Sequence, residues 1–229
     1  MPRIVKDAEV RRDELLDTAL TLFLANGYEH TTVEQITEAV GVAKGTFYHY
    51  FATKQDLLEQ LVARYSDDVF RQIESAVEAA NGSAIDRFQA LMRASSMEKL
   101  GRLSETLLIT RSLYSEENRM LLSRLRDGWI ERTRPIILGI VEQGCAEGLF
   151  DVPDVPAMTE IWLSLWFDYG IQIGRLFYAA EDDPALADNV VAAMTALVLA
   201  EERIMGAAPG SLGIDVEPIM RGILAGEQS

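Results

Sequence analysis

A chain of 229 residues, 48% of them hydrophobic and 25% charged, has the makeup of a soluble globular protein and the length for one large domain or two small ones. The formal net charge of -15 argues against general electrostatic adhesion to nucleic acid. A single cysteine, Cys145, excludes an intrachain disulfide and fits a reducing compartment. The N-terminal MPRIVKDAEVRRDELL lacks the apolar centre of a signal peptide, so a cytoplasmic protein is expected. The most apolar run, Ile161 to Tyr178, is interrupted by Asp168, Gln172 and Arg175 and reads as a buried helix, with no membrane span expected.

Helical periodicity dominates from the first element onward. In VRRDELLDTALTLFLANGY, Leu15, Ala19, Leu22 and Phe23 recur at three- and four-residue steps, and Asn26-Gly27 supplies the stop. A second helix is predicted in TTVEQITEAV, opened by a capping box of Thr31 with Glu34 or of Thr32 with Gln35. Val33, Ile36 and Val40 make its apolar stripe, and Gly41 ends it. A third, short helix covers Lys44 to Tyr50, and Thr53 with Asp56 offers a cap for a helix over 54–80. Further helices are predicted at 84–101, 104–115, 117–147, 155–179, 184–206 and 215–224. The breaks are Gly148, DVPDVP, EDDP and APGSLG, and Pro135 is expected to kink its helix or mark a boundary. No strand pattern, repeat or low-complexity tract appears, so the fold class is all-α.

Two short helices joined by a glycine turn make a helix-turn-helix. Neither is long enough to stand alone, so both need a shared core, which Ile36, Val40, Val42, Phe47 and Tyr50 are spaced to supply, with Phe51 beside them. Lys44, Thr46, Tyr48 and His49 are then directed away from that core, and Gly45 lets another backbone come close. Hydroxyls, an imidazole and an ammonium at a helix start suit phosphate oxygens and base edges.

Residues 9–58 resemble the DNA-binding domain of TetR-family transcriptional regulators. The resemblance rests on ALTLFLANGYEHTTVEQITEAVGVAKGTFYHYFATKQDLL, with Phe23, Gly27, Thr32-Val33, Ile36, Gly41-Val42, Lys44-Gly45, Phe47-Tyr48, Tyr50-Phe51, Lys54 and Leu57-Leu58 in the family's pattern. Thr37 departs from it, standing where the family usually carries alanine; its hydroxyl is expected to bond a carbonyl one turn back. The resemblance implies an N-terminal three-helix DNA-binding domain at 1–58 and an all-helical effector-binding and dimerisation domain at 59–229, joined by helix 54–80. It further implies a homodimeric repressor reading a palindromic double-stranded operator with helix 44–50. On this resemblance Lys44, Gly45, Thr46, Tyr48 and His49 sit where the family contacts DNA. Thr32 and Lys54 match its phosphate contacts, and Arg3, Lys6, Arg11 and Arg12 either reach the DNA backbone or are solvated.

Residues 1–65 hold 7 Lys and Arg against 10 Asp and Glu, so the acids Asp13, Glu14, Asp17, Glu34 and Glu38 are expected to point away from the duplex. Sequence specificity must then come from base contacts, with few phosphate contacts and strong salt sensitivity.

In the body, Met92, Met97, Leu107, Ile109, Leu113, Trp129, Ile137, Trp162, Trp166 and Phe167 read as core or as the lining of an apolar cavity. The resemblance implies a pocket within 84–179, so some of them do both, and a hydrophobic or aromatic small molecule is the expected effector. Asp168 and Arg175 lie seven apart in an apolar stretch; they contact a ligand, pair across a dimer or reach solvent. NVVAAMTALVLAEERIM sets small alanines among larger apolar residues, which suits a helical dimer face. With two histidines and neither a phosphate-cradling glycine loop, nor metal-ligand spacing, nor a nucleophile elbow, no enzyme activity, metal or cofactor is expected. A helical binding module without DNA contact is the rival reading.

Overall fold

A computed structural model describes residues 8–101, 108, 112 and 119–213. The expected helices at 104–115 and 215–224 fall almost entirely outside the described residues, as do Arg3, Lys6, Leu107, Ile109 and Leu113 and the side chain of Met97. The described residues form eight α-helices and no strand: α1 (Ala8–Asn26), α2 (Val33–Val40), α3 (Lys44–Tyr50), α4 (Lys54–Ala79), α5 (Ala84–Gly101), α6 (Arg119–Glu147), α7 (Val155–Asp182) and α8 (Ala187–Met205), with a 3-10 turn at Pro184–Leu186. None of these helices is long and apolar enough to cross a membrane. The chain divides into two compact units, Met1–Asp68 with Arg102–Leu122, and Val69–Gly101 with Ser123–Ser229, so that α4 contributes to both.

The first unit is built around a small core of Leu15, Leu16, Ala19 and Phe23 from α1, Ile36 from α2, Phe47 and Phe51 at α3, and Leu57, Leu58 and Leu61 from α4. Each of the Leu, Ile and Phe side chains contributes roughly 1.5–3 kcal/mol on burial, which is how helices of seven and eight residues persist. Thr32 is the N-cap of α2: its hydroxyl accepts from Gln35 N at 3.2 Å, and Gln35 Oε1 accepts from Thr32 N at 2.8 Å. Thr31 turns inward instead and donates to the Gly27 carbonyl at 2.9 Å. Gly41 closes α2 in the left-handed region at φ 74°, and its N–H and that of Val42 take up the Glu38 and Thr37 carbonyls. Thr37 is buried, and its hydroxyl donates to the carbonyls of Val33 and Glu34 at 3.1 and 3.0 Å, as expected for a hydroxyl at a helix crossing.

The second unit packs α7 against α8, with Ala180 and Val190 buried among Ile173, Leu176, Leu186, Val191 and Met194. Asp154 caps α7, accepting from Ala157 N at 3.0 Å, which explains the break at DVPDVP. Asp183 Oδ1 accepts from Ala185 N at 3.1 Å, so the helix expected over 184–206 resolves into a 3-10 turn followed by α8. Glu147, at the end of α6, accepts from Ala84 N at 2.8 Å and fixes the start of α5. Pro135 lies inside α6, which runs through it unbroken, so it marks no boundary.

Candidate nucleic-acid interface

The short α3 sorts its residues into two directions. Phe47 is fully buried and Phe51 nearly so, with ring centroids 5.4 Å apart, while Tyr48 stands 50% exposed and Lys44, Gly45 and His49 are also exposed. Thr46 is half-buried. Tyr50, expected in the core, is only half-buried, with its ring 5.0 Å from His49 and 6.4 Å from Phe51. Phe51 lies four residues after Phe47 and takes the inward direction; Tyr50, three residues after it, is left at the edge.

Gly45 adopts ordinary helical backbone, and a Cβ built on it would meet nothing within 4 Å. The fold therefore has no internal need of glycine there, although a mid-helix glycine costs about 1 kcal/mol relative to alanine. Gly45 lies on the one face of α3 that carries Lys44, Tyr48 and His49.

Two charged groups have partners within the first unit that sequence spacing does not show. Glu34 does not point away: its carboxylate pairs with the Lys44 ammonium across the turn, both side chains exposed. That hydrogen bond raises the Lys44 pKa and lowers that of Glu34. Lys54 is committed to its own unit, donating to the carbonyls of Tyr28 at 2.8 Å and Thr31 at 3.0 Å with its ammonium 4.2 Å from the Tyr28 ring centre. It thereby fixes the turn that delivers Thr32, which is exposed at the start of α2. Arg11 pairs with Glu14 at 2.7 Å, Arg64 with Asp17 at 2.7 Å, and Arg12 donates to Gln60 Oε1 at 2.6 and 3.0 Å.

In the second unit the residues expected to line a pocket part company. Trp162 is fully buried, Trp166 is 9% exposed, and Trp129 and Met92 are half-buried. The three tryptophans belong to one aromatic series: Phe70, Trp129, Phe167, Trp166, Trp162 and Phe88, with successive ring centroids 4.5 to 6.1 Å apart. Asp168 is not part of that interior. It is exposed and held by Arg126 of α6, whose Nε and Nη2 lie 2.6 and 3.0 Å from its two oxygens. Two residues beyond Trp166 is about 200° around the helix, which turns Asp168 outward. The sequence reading missed Glu201, an acid that is 1% exposed on α8; the only signal was a glutamate in step with the apolar Val190, Ala193 and Leu197.

A helix-turn-helix seated on a three-helix core, presenting a polar and aromatic face from its second helix, defines a DNA-binding transcriptional regulator. Residues 15–61 match the family described as bacterial regulatory proteins, tetR family. Over those residues the chain carries a tetR-family DNA-binding domain. It is 29% identical over 154 residues to the HTH-type transcriptional repressor KstR2 of Mycobacterium tuberculosis, spanning 66% of this chain and 74% of that one. The HTH-type transcriptional regulator TcmR of Streptomyces glaucescens is 61% identical over 46 residues, 20% of each chain. In fold it is similar to the fatty acid degradation regulator FadR from Bacillus halodurans, with a TM-score of 0.60 at 20% identity over 82% of this chain and 94% of that one.

Proposed function

We propose that the chain acts as a homodimeric repressor, released from a palindromic operator by a small apolar effector bound in the second unit. The observation that carries the DNA half is the outward face of α3, where Tyr48 stands exposed beside a glycine that nothing inside the fold requires. Lys44, Gly45, Thr46, Tyr48 and His49 then meet base edges and phosphates in the major groove. Thr32 offers its hydroxyl to a phosphate, and Lys54 acts chiefly by holding the Tyr28–Thr31 turn, with one N–H left for the backbone of the DNA. Lys44 reaches the DNA by exchanging Glu34 for a phosphate.

Two half-sites one helical turn apart need two copies of α3. The outward sides of α7 and α8 suit the pairing: Ala192, Thr195, Ala196 and Leu199 are exposed on α8, and Ile161 is 50% exposed on α7. A ligand that favours one spacing of the two α3 helices over another shifts the population away from the DNA-bound form, and α4, shared by both units, is the element that carries the change. Binding to DNA in the cell places the protein in the cytoplasm. The experiment is selection of an operator from a random duplex library, followed by anisotropy with the labelled winner. A dimer-sized complex on a two-fold symmetric site, weakened by salt, is expected; equal affinity for scrambled duplex, or a monomer by sedimentation at micromolar concentration, contradicts the reading.

A further inference from the structure

Four buried side-chain atoms among the described residues have no hydrogen-bond partner: Thr159 Oγ1, Trp162 Nε1, Glu201 Oε1 and Ser211 Oγ. Three of them belong together. Thr159 and Trp162 stand three residues apart on α7 and so share a face. From that face the Trp162 N–H acts on the carboxyl of Glu201 on α8, without closing a well-formed hydrogen bond to it. The three residues are 1%, 0% and 1% exposed.

Their surroundings are apolar. Trp166 stacks on Trp162 at 5.4 Å, and Phe88 of α5 meets it edge-on at 5.9 Å. Leu197 and Met205 lie one turn to either side of Glu201, both buried. The neighbouring acid is differently placed: Glu202 Oε1 accepts from Leu212 N at 3.2 Å and ties down the segment after α8. Glu201 performs no such task. Burying a carboxyl whose Oε1 has no hydrogen-bond partner beside an indole N–H that lacks a well-formed one costs stability, and a leucine at 201 would fill the space without that cost.

The chemistry of the three groups is specific. Burial pushes the Glu201 carboxyl up to about 8, with the Trp162 N–H opposing and the Glu202 charge adding to the rise. Near neutral pH it is therefore mainly a neutral acid with a hydrogen to donate. The indole also donates, and the Thr159 hydroxyl donates or accepts. Among the described residues no basic side chain acts on Glu201, so none of them offers an anionic head a counter-charge there. Two donors from facing helices, with a hydroxyl one turn before the indole and aromatic rings around it, suit an uncharged oxygen on an apolar body.

We propose that Thr159, Trp162 and Glu201 form the polar end of the effector site, and that this site takes an uncharged, mainly apolar molecule through one carbonyl or hydroxyl oxygen. The assignment rests on the reading of the second unit as an effector-binding body.

The test titrates full-length protein with 2-acetylnaphthalene and 2-undecanone, each against its hydrocarbon counterpart, 2-ethylnaphthalene and undecane, by calorimetry and tryptophan fluorescence. Wild type is expected to bind at least one ketone about tenfold or more tighter than its hydrocarbon. Trp162→Phe and Glu201→Leu should erase that preference, while Glu201→Gln, which keeps an N–H in place, should retain it. Helical circular dichroism and ligand-free operator binding establish that each variant is folded. Absence of ketone binding by the wild type, equal binding of ketone and hydrocarbon, or a preference that survives both substitutions overturns the assignment. Operator release is followed in parallel. Release by any probe regardless of residues 162 and 201 leaves the effector reading intact while this site falls. A ketone that binds with the expected pattern yet leaves the operator bound counts against the effector reading and not against the site.

Discussion

The two units place their unexplained chemistry on opposite sides of their helices. In the first, α3 buries Phe47 and turns Tyr48, Gly45 and Lys44 outward, so what the fold does not need is on the surface. In the second, α7 turns Asp168 outward onto Arg126, while Thr159, Trp162 and Glu201 keep buried polar atoms without a hydrogen-bond partner. A surface that meets a large polyanion can leave polar groups in water until the partner arrives. A site for a small apolar molecule must hold its polar groups out of water, and bears their desolvation in the fold itself. The first arrangement costs little stability, the second a good deal.

That contrast can be broken most forcefully at Phe47. Replacing this fully buried ring, Phe47→Ala, should cost about 3–5 kcal/mol and abolish operator binding through loss of the first unit, read as an early melting transition by circular dichroism.

Glu201→Gln should act next most strongly, on the pH dependence of stability. The folded carboxyl titrates at about 8 against an ordinary 4.5, so the folded chain holds a proton that the unfolded chain releases. The stability that this group contributes is therefore complete below pH 4.5 and is lost as pH rises toward 8, by on the order of a few kcal/mol. Urea midpoints at pH 5, 6.5 and 8 should drop in the wild type and stay nearly level in the variant.

Tyr48→Ala should leave the fold intact and weaken operator binding by roughly 1–3 kcal/mol in an anisotropy titration. Tyr50→Ala, truncating a half-buried ring, should mainly lower the melting temperature, by a smaller amount than Phe47→Ala; equal losses in DNA binding for both tyrosines would erase the two-faced description of α3. The smallest effect is expected at Glu34→Gln, which frees Lys44 and removes an acid from the DNA face. Affinity for random duplex should rise a few-fold, and the salt dependence should steepen by up to about one unit of the logarithmic slope.

Much of the first unit was legible because its signals are local. Thr32 with Gln35 makes the capping box, Gly41 makes the turn, and the steps from Phe47 to Phe51 settle which side of α3 faces in. Tyr50 was misjudged because two aromatics competed for one inward direction, and spacing of three against four does not decide between them. The partners of Glu34 and Lys54 were not legible for a different reason: Lys44 and the carbonyls of Tyr28 and Thr31 are brought near by packing and not by sequence distance.

By itself the sequence determined the helical class, the place and order of the helix-turn-helix, and the family, since periodicity, caps and turn glycines act within a few residues of one another. Tertiary structure alone decided that Asp168 faces Arg126 and solvent while Glu201 lies buried against Trp162. In sequence both are acids set into apolar helices. Which one is desolvated depends on how α7 is rotated and which helices it meets, and that is settled only when distant segments pack.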